Sequence, residues 1–217
     1  MAKTDRFWAL LQSKKTFLAY VFLNLFFQLA LAYTVMESFS KRKDKWSQFE
    51  FFGILFAQIA VLLVMIFVPM PPIFKFGLFS VFSFLTGYLL SVVEDKTDPK
   101  VVRASMVGAL SIFAGMFLCG AALIAVGVRL GFWFGLFLFT ALMMLIIFQI
   151  LSHFLGTHSV TSKATAAAGL FLFSLYMVYD TNTILQRNYN GDVITASMDY
   201  FLDIINVFLD LVILGEH

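Results

Sequence analysis

The chain has 217 residues, 61% of them hydrophobic and only 13% charged, with 28 phenylalanines and a mean hydropathy of +0.90. A water-facing surface must be covered with polar groups and a lipid-facing one need not be, so this composition excludes a soluble domain and points to a polytopic membrane protein. The net charge of +2 argues for no nucleic-acid partner, and the single cysteine, Cys119, rules out an intrachain disulfide.

The opening stretch, MAKTDRFWALLQSKK, is too polar for a cleaved signal peptide with its own apolar core, so the first span reads as an uncleaved signal anchor. A helical span needs about 20 apolar residues to cross roughly 30 Å of hydrocarbon. Seven stretches qualify: residues 16–36, 51–68, 73–93, 101–126, 131–151, 164–185 and 193–214, one transmembrane domain over 1–217. The connections are short and polar. In the first of them, Lys41-Arg42-Lys43-Asp44-Lys45 reads as an interfacial anchor able to touch anionic lipid. Pro69, Pro71 and Pro72 mark a turn between spans two and three, and Asp98-Pro99 opens the fourth helix with proline near its first position. Gly127, Gly131 and Gly135 read as turn and packing glycines. His153 and His158 lie in the loop before span six with no third ligand nearby, too few for a zinc site. Lys75 and Arg103, at the starts of spans three and four, can snorkel to the interface. Basic residues divide seven to eight between the two sides, so charge sets no orientation.

Polar intrusions concentrate in the last two spans. The sixth carries Asp180 with Thr181, Asn182 and Thr183; the seventh carries Asp199, Asp203, Asn206 and Asp210 at i, i+4, i+7 and i+11, one stripe of a helix. An ionised carboxylate at mid-bilayer costs about 2.5–3.5 kcal/mol on insertion scales. The stripe must therefore face protein or water, leaving Phe201, Ile204, Ile205, Phe208 and Leu211 for lipid or packing. Spans six and seven are joined by QRNYNGD and should be antiparallel neighbours. Asp180 can then face Asp203, their heights matching if the sixth helix runs on to about Tyr189.

Two carboxylates in contact at low dielectric cannot both ionise readily and titrate as a unit. Such a pair can bind a divalent cation such as calcium, sense or relay protons, or activate water for peptide cleavage. The plainer alternative is that the acids only hydrogen-bond to neighbouring helices. No lysine or arginine sits at mid-span to neutralise them; Asn24, Gln28, Gln58 and Gln149 are available as neutral partners. No Gly-x-Ser-x-Gly, phosphate loop or His-Glu-x-x-His is present.

The stretch SLYMVYDTNTIL, followed by a short polar loop and ASMDYFLDIINVFLDLVIL, resembles the end of the Bax inhibitor-1 family, also called the transmembrane Bax inhibitor motif family. Tyr179, Asp180, Thr181 and Asn182 match its sixth-span motif; Ala196, Tyr200, Leu202, Asp203, Ile204, Ile205, Asn206 and Phe208 match its last-span motif. ALSIFAGMFL, residues 109–118, is similar to its fourth span. The resemblance implies an all-α fold of seven transmembrane helices, the last one central and surrounded by the other six. It implies a pH-sensitive calcium leak gated at Asp180 and Asp203, and no cofactor beyond calcium as the permeant or transiently bound ion. On that reading Asp199, Asn206, Asp210 and Asn182 would line the route, with Asp199 and Asp210 standing as additions to the family pattern that make it more acidic. Its implied partners are the bilayer, calcium ions and protons, and apoptosis regulators if the source is eukaryotic or viral. The implied location is the ER or Golgi membrane in those cases and the plasma membrane if bacterial. Some relatives place an acid within the second span and an arginine at its end that latches the sixth-span aspartate; here those positions hold Gln58 and Pro69. The family's basic C-terminal tail is replaced by Gly215-Glu216-His217.

Two rival expectations come from other classes. Tyr179-Asp180 and a seventh-span aspartate also resemble presenilin-type intramembrane aspartyl proteases, but Tyr200-Phe201-Leu202 stands where those carry Gly-x-Gly, and Pro-Ala-Leu is absent. The reading is therefore a non-enzyme. The other rival is a non-conducting, anti-apoptotic interaction protein that works through its helices.

Overall fold

The computed structural model describes residues 3–40, 47–155, 158–187 and 191–216. Among them it has seven helices and no strand: α1 (Lys3–Ser40), α2 (Gln48–Phe67), α3 (Pro72–Lys96), α4 (Pro99–Ala125), α5 (Phe132–Phe154), α6 (His158–Arg187) and α7 (Val193–Gly215). The basic run Lys41–Lys45 lies outside the described residues, as do the side chains of His153 and His158. Six helices are long and apolar enough to cross a membrane. The seventh, α7, carries Asp199, Asp203 and Asp210, and is suited to a membrane only because other helices enclose it. The fold is that of an all-α integral membrane protein.

Helix starts follow the chemistry of capping. Asp98 accepts a hydrogen bond from Lys100 N at 2.7 Å with Pro99 in the first turn of α4. Pro72 likewise stands in the first turn of α3, which has no side-chain cap. At the other end of α4 the chain turns through Gly127 at φ +91. Gly127 N donates to Ile124 O at 2.9 Å and Val128 N to Leu123 O at 2.8 Å, the paired closure that a left-handed glycine allows.

Two helices depart from their expected bounds. α1 begins at Lys3 instead of residue 16, because Phe7, Leu10 and Leu11 form an apolar stripe that packs on the core. α6 begins at His158 instead of 164 and runs past Leu185 to Arg187; the further extension expected to Tyr189 falls on residues outside those described.

α7 is the innermost helix. α1, α3, α4 and α6 pack directly against it, whereas α2 packs mainly on α3 and α5 on α6. The surround of six is thus two-tiered, with four helices inside and two outside. Tyr200, Phe201 and Val207 of α7 have no exposed surface. Phe22, Phe113 and Phe117 enclose Tyr200 while Phe79 and Phe82 pack on Phe201. The outer helices instead expose large apolar side chains such as Phe56, Trp133 and Phe137, which lipid solvates without cost. α1 and α3 run parallel and cross closely at Gly87, where any Cβ would collide with the carbonyl of Ala32.

Candidate functional site: a carboxyl pair between α6 and α7

The α6–α7 connection is short, so the two helices lie antiparallel along most of α7. Asp180 enters from α6 and Asp203 from the middle of α7; both are buried, at 9% and 4% exposure. Their carboxyl groups lie within hydrogen-bonding reach of each other. As carboxylates both groups can only accept, so the contact is a hydrogen bond only when one of them carries the proton. Among the described residues no other group donates to Asp203 Oδ2. Asp199, one turn before Asp203, acts electrostatically on both carboxyls, and Tyr176, one turn before Asp180, stands near both. Among the described residues no cation acts on either member of the pair.

Behind the pair the two helices are locked by Tyr200, whose hydroxyl donates to Thr181 Oγ1 at 2.9 Å. A fully buried phenol needs such a partner, and the bond fixes α7 against α6 one turn from the acids. Among the described residues no group of three or more metal-ligating side chains occurs. Calcium takes six to eight oxygens, so an ion at the pair would draw most of its shell from water or backbone.

The other members of the expected site lie apart. Asp210 is two turns along α7 and rests on Gly169 of α6, where a Cβ would come 2.5 Å from Oδ2 and 2.8 Å from Oδ1. Its Oδ2 is enclosed without a hydrogen-bond partner among the described residues. Asn206 turns aside: its Nδ2 donates to Leu202 O at 2.8 Å, and the residue lines a cavity of about 360 Å³ between α2, α3 and α7 with Gln58 and Thr86. Asn182 faces away from the ridge. It accepts from Leu130 N at 2.8 Å and donates to Val128 O at 3.1 Å, so it holds the α4–α5 turn. Its amide is committed to the backbone of that turn, which is the physical reason it does not line a route past the acids. Gln58 donates to Thr86 Oγ1 at 2.7 Å, and Pro69 follows the end of α2; neither reaches the acid pair in the manner of the second-span latch.

Three contributors escaped the sequence reading. Gly169 and Tyr176 precede Asp180 by eleven and four residues, which puts all three on one face of α6 and is a readable signal. The third is Asp192, which caps α7 by accepting from Ile194 N at 3.1 Å and Thr195 N at 2.9 Å. Lys75, expected to snorkel, instead bonds Asp192 Oδ2 and Thr195 Oγ1, each at 2.5 Å. Burial pushes the Asp192 carboxyl up, but the hydrogen bonds from Lys75 and Thr195 and the nearby ammonium outweigh it and hold the group below the usual carboxylate range. An aspartate just before an apolar run is the ordinary sign of a helix start.

Residues 13–215 match the family described as Inhibitor of apoptosis-promoting Bax1. Protein LIFEGUARD 1 of Arabidopsis thaliana is 31% identical over 77 residues, covering 36% of this chain and 33% of that protein. An uncharacterized protein of Helicobacter pylori (strain ATCC 700392 / 26695) is 35% identical over 77 residues, with the same two shares, 36% and 33%. The Golgi anti-apoptotic protein of vaccinia virus (strain Lister) is 34% identical over 79 residues, again 36% of this chain and 33% of the relative. The chain thus aligns with about a third of the length of these curated relatives. With nearly its whole length matched and the aspartate pair in place, the chain belongs to the Bax inhibitor-1 family.

Proposed function

We propose that this protein is a pH-sensitive, calcium-permeable leak channel gated at Asp180 and Asp203. The observation that carries the reading is the meeting of these two carboxyls, buried between α6 and α7 with no cation beside them among the described residues. An uncompensated acidic site at membrane depth attracts a cation or a proton. When the pair holds a proton, the shared hydrogen bond draws α6 and α7 together; when both groups ionise, repulsion loosens the seam and offers negative charge to calcium. Asp199 and Asp210, which meet α6 along the same seam, serve the route as secondary acidic stations. The anti-apoptotic role named for the vaccinia relative supports a link to apoptosis, with the protein in an ER or Golgi membrane if the source is eukaryotic or viral and in the plasma membrane if it is bacterial.

Enclosure of Tyr200 and Phe201 beside Asp203 supports conduction over proteolysis, because a peptide substrate needs backbone access next to the attacking carboxyl. The test is calcium entry into dye-loaded liposomes containing the purified protein. A flux above that of empty liposomes, varying with pH, is expected. Purified protein that conducts nothing but captures a partner would instead favour the non-conducting reading.

A further inference from the structure

A second feature lies on the opposite side of α7 from the acids. An apolar cavity of about 370 Å³ runs between α1 and α4 and reaches Ile204 and Phe208 of α7 at its floor. Its rim carries Phe26, Tyr33 and Leu110, all exposed, so it opens sideways to the surroundings of the helix bundle. In this fold those surroundings are acyl chains.

The dimensions fit one leaflet. Along α1 the lining runs from Phe26 to Met36, roughly 15 Å at the helical rise. That is about half of a hydrocarbon core of some 30 Å. The groove begins near mid-membrane, at the level of α7's centre, and ends where α4 starts.

At that end stands Arg103. It lies on the face of α4 that lines the groove, at i−3 from Met106 and i−7 from Leu110. It is exposed and makes no hydrogen bond or ion pair among the described residues. The nearby Asp98 carboxylate accepts from Lys100 N, at the cap of its own helix. An unpaired guanidinium above an apolar slot one leaflet deep matches a phosphate joined to a long chain, since guanidinium forks pair with phosphate oxygens.

We propose that this groove binds one phospholipid, its acyl chain lying along Ile204 and Phe208 and its phosphate on Arg103. The occupant touches Ile204, the neighbour of Asp203, so it bears on the inner helix from the side away from the carboxyl pair.

The experiment uses two photoactivatable lipids with the same diazirine-bearing acyl chain, one with a phosphate headgroup and one with an uncharged sugar headgroup. Each is cross-linked to the full chain in liposomes and mapped by peptide mass spectrometry. Phospholipid label is expected to concentrate on the groove segments of α1, α4 and α7. Arg103→Gln should lower it about fivefold, the weight of one basic residue near a headgroup, and leave the sugar lipid unchanged. Leu110→Trp, at an exposed rim position, should lower both labels by filling the slot. Label no denser in the groove than on α2 and α5, or a phospholipid signal indifferent to Arg103→Gln, would overturn the proposal. The readout needs no ion flux, so it stands whether or not the protein conducts.

Discussion

Lys75 Nζ sits 2.5 Å from Asp192 Oδ2, tying the first turn of α3 to the cap of α7. The inner helix is therefore anchored outside the hydrocarbon, about ten residues before the aspartate at its centre. The pair is half-buried, so its charge is worth about 0.5–1 kcal/mol. Asp192→Asn keeps a capping side chain and should lose about that amount in thermal unfolding in detergent. Asp192→Ala also loses the cap and should cost about 1 kcal/mol more.

The same pair predicts a pH dependence. The folded-state carboxyl of Asp192 is held below its ordinary range, so its contribution is fully present above the unfolded value, about 3.9, and is lost as pH falls through the lower folded value. Stability from this contact should be flat through the neutral range and decline only in strong acid. Comparing unfolding curves of the wild type and Lys75→Met should show a gap that is constant near neutrality and closes in acid. A gap that opens or closes near neutrality would assign the effect to other groups.

Gly169 and Asp210 should behave as one unit. A Cβ on residue 169 would come 2.9 Å from the Asp210 carboxyl carbon and nearer to its oxygens. Gly169→Ala should destabilise by about 1–3 kcal/mol, as overpacking does. In an Asp210→Ala background most of that cost should vanish, and a double-mutant cycle on unfolding measures the coupling.

Asn182 should prove structural. Its amide holds Leu130 N and Val128 O at the α4–α5 turn, so Asn182→Ala removes both bonds and should cost about 1–3 kcal/mol, at about 0.5–1.5 for each. The pH profile of any flux should keep its shape while the amount of folded protein falls. A changed profile at equal folded protein would return Asn182 to the ion route.

Much of this architecture was legible because lipid makes hydropathy the dominant signal; the core of every span was found where the apolar run lies. The ends were not, because Phe7, Leu10 and Leu11 look like a polar leader until the core they pack on is known. The acid pair was legible from period alone, since Asp199 and Asp203 share a face and the short connection brings Asp180 opposite. Asn182 misled because its partners belong to a turn more than fifty residues earlier, which no local pattern reveals. The Lys75 contact with Asp192 joins residues 117 apart and was likewise invisible. Asn206 keeps the spacing of the stripe but sits at its edge, and only the position of α2 shows that it turns toward the cavity shared with Gln58.

The central claim is that Asp180 and Asp203 act as one gate. Its most direct test is calcium flux into dye-loaded liposomes from about pH 5 to 8, comparing the wild type with Asp180→Asn, Asp203→Asn and the double variant. The account predicts that either single change alters both the flux and its pH dependence, and that the double variant adds little to either single one, because the two carboxyls share one proton. Single variants that retain the wild-type flux and pH profile would contradict it.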